Sequence, residues 1–414
     1  MSAQEFPQEL LDLVIDHLNG DFPALKSLSQ ISRPWSQLTR QHIFQRISLK
    51  SNIRCITLKE LITVRLELSQ YIQAVEVRHE DRYLPPLYAT PSNLCDLLVL
   101  LPAVTKLSLD GALRLIEWDS VPDELQSALY DVMKRVTSLE LASISSFQIA
   151  PLAQCQQLKE LSLVEVDLQP AMYTQPSPSA LPSNSQKLSG RLQRLTVGNC
   201  AEALKALIAL QPFCTIDLCH PTELVVNAFK FGSDMATALG HCCSAVESYY
   251  AFALTDRPKF TNPFTDTMID FSRTPRIKHL CIRLAYYHWL AQINSTILEP
   301  IAHGLDGVLG SSNLETVTIL LEFAPPPTRP EAGTEVDVYF AATREAWGLL
   351  DDVLSKDVFG KLQAVLLVFG TPNRTEQNCR WPGLWPARDR LIDKMPKMTA
   401  KGVLNITRSR SHPS

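Results

Sequence analysis

Apolar residues in the N-terminal stretch, residues 6–49, repeat with the period of an α-helix. In the segment 7–18 they fall on one stripe of a helix, with acidic and amide side chains on the opposite side. The stripe consists of Leu10, Leu11, Val14, Ile15 and Leu18. Proline suits the first turn of a helix, and the Asn19-Gly20 pair favours a helix end, so the pattern predicts a helix over this segment.

Two further short helices are predicted before the spacing of apolar residues changes. The first has Leu25, Leu28 and Ile31 at intervals of three. The second follows Ser32, a residue type that caps helices, and has Trp35 on its apolar side. Three helices within about forty residues are too few to bury all of these side chains among themselves. Part of the apolar surface should therefore pack against the rest of the chain or against a partner.

The apolar and proline positions of this stretch occur in a defined order. The order is Phe6-Pro7-x-Glu9-Leu10-Leu11, then Val14-Ile15-x-x-Leu18, Leu25-x-x-Leu28 and Ile31-Ser32-Arg33-x-Trp35, with Leu38 following. It resembles an F-box, specifically the F-box of large fungal (basidiomycete-type) families. Phe6 stands where that family usually has leucine, and Gln30 stands where an aliphatic residue is common.

The resemblance implies an N-terminal three-helix F-box domain, residues 1–46, that binds the Skp adaptor subunit of a cullin-RING ubiquitin ligase. The residues implied to contact the Skp subunit are Phe6, Pro7, Leu10, Leu11, Val14, Ile15, Leu18, Leu25, Leu28, Ile31 and Trp35. Periodicity alone fits equally a helical subdomain that packs on its own protein.

A short unit recurs from residue 47 onward, in which aliphatic residues flank a polar one and a further aliphatic residue comes shortly before. The unit has the form Leu-x-x-Leu-x-Leu, the strand half of a leucine-rich repeat. The strand units lie at 47–49, 74–77, 106–110, 138–141, 160–163, 194–197, 279–283, 316–319 and 364–367. Helical stretches lie between them at 58–71, 92–101, 123–135 and 341–354.

Alternating strands and helices predict an α/β fold with parallel strands and the helices outside. Because the units are irregular in length, we predict an irregular leucine-rich-repeat-like α/β solenoid over residues 47–407. It resembles the leucine-rich-repeat-like regions that accompany fungal F-boxes. Proline and small polar residues predict mobile loops at 170–190 and 324–334, and residues 408–414 are predicted to be a disordered tail.

The period-two alternation sends the leucines of each strand to one face of the sheet and the intervening residues to the other. In a solenoid the second face is a surface for a partner. We predict a target-binding face that includes Lys106, Asp110, Glu140, Glu160, Arg194, His279 and Arg283. Its mixed charge favours a protein target.

Composition supports a folded protein with a large core, since 45% of the 414 residues are hydrophobic and 20% are charged. The formal net charge is −4, so the chain has no excess of positive charge that would attract nucleic acid or anionic lipid. The N-terminus lacks the pattern of a secretory signal, and no apolar run is long enough to span a bilayer. We therefore predict a cytoplasmic or nuclear protein that binds neither nucleic acid nor membrane.

The ten cysteines show no CxxC pair and no repeated spacing, which is typical of reduced thiols. A zinc site built from Cys214, Cys219-His220 and His241-Cys242-Cys243 is an alternative. Adjacent cysteines are a poor ligand pair, however, and small buried thiols explain the same residues. No metal and no cofactor are predicted.

Catalytic motifs are missing from the sequence: there is no GxSxG elbow, GxxxxGK[ST] loop, HExxH helix or GxGxxG after a strand. This favours a binding protein over an enzyme. We interpret the chain as the substrate-recognition adaptor of a Skp–cullin–F-box ubiquitin ligase, with a Skp-type adaptor and cullin complex and an unknown target protein as partners. Two alternatives stay open: a repeat scaffold without ligase involvement, and an α/β enzyme whose site assembles only in three dimensions.

Overall fold

The structure is a computed structural model. It describes residues 8–18, 21–78, 91–111, 115–168, 190–211, 214, 216–218, 220–228, 238–240, 242–254, 271, 274–286, 298–308, 312–323, 344–370 and 391–408. The fold is α/β with a large parallel β-sheet, which confirms the predicted α/β class and the parallel direction of the strands. The chain divides into two compact units: unit one comprises Met1–Gly190 and Phe213–Ile216, and unit two comprises Arg191–Pro212 and Asp217–Ser414.

Unit one begins with three helices and continues as alternating strands and helices. Its described helices are α1 (Gln8–His17), α2 (Phe22–Leu28), α3 (Arg33–Gln45), α4 (Asn52–Val64), α5 (Pro91–Val99) and α6 (Asp123–Met133), with short 3-10 segments at Leu66–Gln70, Trp118–Ser120 and Ala150–Gln154. Its strands are β1 (Arg46–Leu49), β2 (Ala74–Arg78), β3 (Lys106–Asp110), β4 (Ile116–Glu117), β5 (Ser138–Phe147) and β6 (Glu160–Leu168). They pair in the order β1-β2-β3-β5-β6, with β4 beside β5, and every pair is parallel.

Local signals explain how the N-terminal helices start. The Asp21 side chain accepts the backbone N–H of Ala24 over 3.0 Å at the beginning of α2, where Pro23 fits the first turn. Ser32 occupies the cap position of α3 as predicted, but its hydroxyl makes no capping hydrogen bond there. Helix α3 passes directly into β1, so the three-helix segment is attached to the sheet without a linker.

The core of unit one consists of in-register rows of aliphatic side chains. One row runs Ile47, Val75, Leu107, Leu139 and Leu161, and the next runs Leu49, Val77, Leu109, Leu141 and Leu163. Except for the partly exposed Ile47 in the first strand, these side chains are buried. Buried residues of α4, α5 and α6, among them Ile62, Leu97 and Leu129, supply the helical half of the core. The predicted leucine positions therefore form the interior.

Strands β5 and β6 bend together at a pair of left-handed residues. Ser143 has φ 53° and Glu165 has φ 54°, a region that non-glycine residues rarely adopt. The Ser143 hydroxyl donates to the Glu165 carboxylate over 3.0 Å. After this bend, and a further left-handed residue at Ser146, the spacing of inward residues becomes three, so that Ile144 and Phe147 are buried.

Unit two repeats the strand–helix alternation. Its described helices are α7 (Ala201–Leu210), α8 (Leu298–Asp306), α9 (Arg344–Leu354) and α10 (Pro396–Ala400), with a 3-10 segment at Asp357–Phe359. Two short strands at the points where the chain passes between the units, β7 (Gly190–Arg191) and β9 (Ile216–Asp217), pair with each other. The longer strands are β8 (Arg194–Gly198), β10 (Glu223–Ala228), β11 (Ser248–Leu254), β12 (His279–Tyr286), β13 (Thr316–Phe323), β14 (Ala364–Gly370) and β15 (Leu404–Arg408). They pair in that order, all parallel.

The core of unit two has the same two-row construction. One aliphatic and aromatic row runs Leu195, Leu224, Tyr249, Leu280, Val317, Val365 and Leu404, and the other runs Val197, Val226, Ala251, Ile282, Ile319, Leu367 and Ile406. All are buried up to β14, whereas Leu404 and Ile406 in β15 are only partly covered. Tyr249 is held edge-on against Phe271, with ring centroids 5.9 Å apart.

Several predicted boundaries differ from the structure. The helix predicted at 58–71 begins earlier, as α4, and its second half is the 3-10 segment Leu66–Gln70. Gly190 begins β7 and is not part of a loop, and Arg408 ends β15 and is not part of a tail. The remaining predicted loop and tail residues, 170–189, 324–334 and 409–414, lie outside the described residues. Within the described part of the chain, no helix combines the length and apolar character needed to cross a membrane.

Candidate protein-docking surfaces

Helix α1 carries apolar side chains on two adjacent faces. Leu11 and Ile15 are 5% and 1% exposed, so they belong to the interior of unit one. Leu10, Leu13 and Val14 are 49%, 67% and 43% exposed. The single stripe predicted from the sequence is thus divided between an inward face and an outward face. Leu13, three residues after Leu10 and therefore beside it on the helix, was not selected from the sequence.

The other predicted contact residues of the three-helix segment are distributed in the same way. Leu25 is fully buried, and Leu18, Leu28 and Trp35 are partly buried. Ile31 is 65% exposed, and Phe22 at the start of α2, which sequence analysis did not select, is 47% exposed. Phe6 and Pro7 lie outside the described residues.

We name the outward side chains of this segment the N-terminal apolar surface; its members are Leu10, Leu13, Val14, Phe22 and Ile31. Contiguous exposed apolar area is typical of a binding surface, and Leu10, Leu13 and Val14 adjoin one another on α1. Aliphatic exposure also occurs further along unit one, at Val64 of α4 and Val99 of α5, which are 81% and 77% exposed. Those residues provide matched controls for tests of the N-terminal apolar surface.

The outward face of the sheet in unit one is polar and in register. Its central row runs Ser48, Glu76, Ser108, Glu140 and Ser162. On this face Asp110 is engaged within the chain, since Arg78 Nε lies 3.1 Å from its Oδ2 and Arg78 Nη1 lies 4.0 Å from Glu76 Oε1. Glu160 accepts the Ser138 hydroxyl over 2.9 Å.

Lys106 and Glu140 differ from these neighbours. Among the described residues, neither side chain forms a hydrogen bond or an ion pair. Both are partly exposed and stand on adjacent strands, β3 and β5, as diagonal neighbours in the parallel register. Of the predicted target-binding residues in unit one, these two are therefore the ones whose charged groups make no hydrogen bond or ion pair with the described residues.

The outward face in unit two is less polar than predicted. Arg194 Nε pairs with Glu223 Oε1 over 3.1 Å, and His279 Nδ1 lies 2.8 Å from the Thr316 hydroxyl. Arg283 stands further along β12 and is partly exposed. The next row, however, runs Thr196, Val225, Tyr250, Cys281, Thr318, Leu366 and Asn405. Burial raises the pKa of the Tyr250 hydroxyl, with Glu223 adding to the effect.

Four thiols in the described part of the chain have raised pKa values. Burial raises the pKa of Cys55 and of Cys155 to about 11, and it also raises the pKa of Cys95 and Cys281. A raised pKa keeps a thiol protonated at neutral pH, and the thiolate is the reactive form. These cysteines are therefore packing residues.

The zinc alternative gains no support from the described residues, among which no group of three or more His, Cys, Asp or Glu side chains could hold a metal. Cys214, Cys242 and Cys243 are buried thiols, while Cys219 and His241 lie outside the described residues.

One histidine–carboxylate pair was missed by sequence analysis. His220 Nδ1 lies 2.9 Å from Asp217 Oδ1, and the His220 carbonyl accepts a hydrogen bond from Arg191 Nε. The Asp-x-x-His spacing of this pair was the available signal. Such a carboxylate orients an imidazole, which is one part of acid–base machinery. In the described part of the chain no hydroxyl or thiol contacts this imidazole, so the pair alone does not form a catalytic site.

Comparisons with known proteins show little. No family model and no curated protein matches the sequence. A solved structure, that of a protein from Bacteroides fragilis determined by a structural genomics consortium, aligns over 96% of this chain and 83% of its own. Its TM-score is 0.36 and its sequence identity is 9%.

Proposed function

We propose that this chain is the substrate-recognition adaptor of a Skp–cullin–F-box ubiquitin ligase. The observation that carries the proposal is the outward face of α1, where Leu10, Leu13 and Val14 are exposed beside an inward face that is buried. A helix with a second apolar face in water is suited to docking on another subunit. The order of residues in the same segment resembles an F-box, and this resemblance names the Skp subunit as the partner.

In this proposal the residues implied by the resemblance divide into two roles. Leu10, Val14 and Ile31, together with Leu13 and Phe22, contact the Skp subunit directly. The buried residues Leu11, Ile15 and Leu25 hold the helices in the arrangement that presents them. Burying an aliphatic side chain completely is worth about 1.5–3 kcal/mol. Several partly exposed ones can therefore offset the cost of association.

The rest of the chain, in this proposal, is an irregular leucine-rich-repeat-like solenoid that binds a target protein. Parallel strands that pair in chain order, each with its leucines on one face, support this arrangement. Lys106 and Glu140 are the side chains we assign first to target contact, because their charges are not used within the described part of the chain. The ligase chemistry is performed by other subunits, and this chain supplies proximity and orientation.

The test is a binding measurement between the full chain and a purified Skp-type subunit. The double variant Leu13→Asp, Val14→Asp places charges on the outward face of α1 and should abolish binding while circular dichroism remains that of the wild type. The control Val64→Asp, Val99→Asp places the same charges on more exposed aliphatic positions outside the three-helix segment and should bind normally.

Position 15 is unsuitable for this test. Ile15 is 1% exposed, so an aspartate there would bury a charge and disrupt the helices themselves. Wild-type protein that does not bind the Skp subunit, or a Leu13→Asp, Val14→Asp variant that binds as well as the control, would refute the proposal. The first of these results would favour the repeat scaffold without ligase involvement.

A further inference from the structure

Strand β15 is an open edge of the sheet in unit two. It is the last strand in the pairing order, and no described strand pairs with its outer side. The Val365 N–H donates to the Val403 carbonyl over 2.8 Å, and Val365 is the register partner of Leu404. In a parallel pair the residues of a strand point their backbone groups alternately to one neighbour and to the other. The hydrogen bond at Val403 therefore places the backbone groups of Asn405 and Thr407 toward β14. The N–H and C=O groups of Leu404 and Ile406 therefore point outward.

The side chains of the same two residues are also incompletely covered. Leu404 and Ile406 extend the two inner rows of unit two, whose neighbouring members Val365 and Leu367 in β14 are fully buried. Leu404 and Ile406 remain partly exposed. Within the described part of the chain, neither residue makes a hydrogen bond beyond the sheet. Among the described residues, both the hydrogen bonding and the apolar row end at β15.

Strand β15 lacks the usual features that prevent edge pairing. Natural edge strands are blunted by proline, by inward-pointing charges or by bulges. The sequence of β15 is Leu-Asn-Ile-Thr-Arg, with no proline and with a charge only at its last position. Its register with β14 is continuous from Leu404 to Arg408, without a bulge. The edge is therefore competent to pair with another strand.

We propose that β15 pairs antiparallel with β15 of a second copy of this chain, around a two-fold axis that passes through Asn405. In this register Leu404 of each copy stands opposite Ile406 of the other. Because both residues direct their N–H and C=O groups outward, each such pair exchanges both backbone hydrogen bonds. The same register brings the partly exposed Leu404 and Ile406 side chains together on the apolar face of the sheet.

The strand is self-complementary in this register, which is why we infer a second copy as the occupant. A two-fold interface requires that residues at equal distances from the axis fit each other. Leu404 and Ile406 satisfy this requirement on one face, and on the other face the exposed Asn405 amide meets its own symmetry mate, with which an amide can exchange hydrogen bonds. The interface uses only unit two and is independent of the N-terminal apolar surface.

The experiment is sedimentation equilibrium of the full chain across a dilution series. We expect reversible association from the single-chain mass of 46.3 kDa to twice that mass. Asn405→Asp and Asn405→Lys each place like charges at the axis, so each variant alone should sediment as a single chain. An equimolar mixture of the two should regain the doubled mass, because opposite charges then face each other.

The mixture separates loss of pairing from loss of folding, since two misfolded variants would not restore a dimer. A second variant, Ile406→Pro, removes an outward N–H while leaving the backbone bonds to β14 in place, and it should also be a single chain. Wild-type protein that remains at the single-chain mass at every concentration would overturn the proposal. So would a dimer that survives in both charge variants.

Discussion

The buried carboxylate of Asp351 accepts the backbone N–H of Met398 over 2.9 Å through Oδ1. Its other oxygen, Oδ2, accepts the N–H of Lys397 over 3.0 Å. Asp351 lies on α9 and is 2% exposed, while Lys397 and Met398 lie in the first turn of α10. One helix therefore supplies the N-terminal cap of another, and the charge is matched to the positive end of α10.

Asp351→Ala should lower the free energy of unfolding by about 1–3 kcal/mol, because it leaves two N–H groups without an acceptor. Asp351→Asn should lower the free energy of unfolding less, since the amide oxygen still accepts a backbone hydrogen bond. The neighbouring Asp352→Ala is the matched control: it breaks the exposed ion pair with Lys397 Nζ at 2.8 Å, which should change stability little. Urea denaturation measures all three. Equal effects at 351 and 352 would contradict the capping role.

The Trp118 indole N–H donates to the Tyr130 hydroxyl over 2.7 Å. Trp118 is 1% exposed and packs edge-on against Phe147 with ring centroids 5.0 Å apart. Tyr130→Phe should therefore destabilise the protein by about 1–3 kcal/mol by leaving the buried indole N–H without a partner. The measurement is chemical denaturation followed by Trp fluorescence. A neutral effect would show that the hydrogen bond is not needed to bury Trp118.

Burial raises the pKa of Tyr130 to about 12 from its usual value near 10. The folded state then holds its phenolic proton over a pH range in which the unfolded chain has lost it. The contribution of Tyr130 to the free energy of unfolding is therefore fully present below about pH 10, and it is lost as the pH rises toward 12. The slope of unfolding free energy against pH in this range should be smaller for Tyr130→Phe than for wild type.

The buried thiols should react slowly with an alkylating reagent. With a pKa of about 11, Cys55 and Cys155 carry about 100-fold less thiolate near pH 8 than a thiol of pKa 9. Iodoacetamide labelling followed by peptide mass spectrometry should modify the partly exposed Cys95 and Cys281 first. The same reagent in urea is the control and should label all four alike. Early labelling of Cys55 would contradict its burial.

The left-handed residues of β5 provide a matched pair of glycine substitutions. Ser146 has φ 56° and no side-chain hydrogen bond within the described chain, so Ser146→Gly should stabilise by about 0.5–1 kcal/mol through relief of backbone strain. Ser143→Gly relieves similar strain but also removes the hydrogen bond to Glu165, so its gain should be smaller. Thermal denaturation of both variants measures the difference.

Much of the fold could be predicted because its main signal is periodic. Each Leu-x-Leu unit between residues 47 and 367 corresponds to an observed strand, since burying alternate residues requires that pattern. Strands β10 and β11 were missed because Val225 and Tyr250 do not give the same signature, whereas β15 was missed although Leu404-Asn405-Ile406 has it. In β10 the outward Val225 is itself buried, which hides the alternation.

The outward face of α1 was harder to predict than the core. Apolar periodicity in α1 identifies Leu10, Leu11, Val14 and Ile15 as one stripe, but it does not state which side of that stripe meets the protein. Only the tertiary contacts separate the buried Ile15 from the exposed Leu13. The hydrogen bonds that occupy Asp110 and Glu160 likewise depend on strand register, which single-sequence patterns do not specify.

Strands that pair in chain order have a consequence for synthesis on the ribosome. In each unit a newly emerged long strand finds its partner already present, because its neighbour in the sheet is the preceding long strand in the chain. Each addition joins a strand to the one before it in the chain, so it does not require segments that have yet to be synthesised. The growing end then exposes a fresh ladder edge until the next strand arrives, and β15 is the last of the described strands to do so.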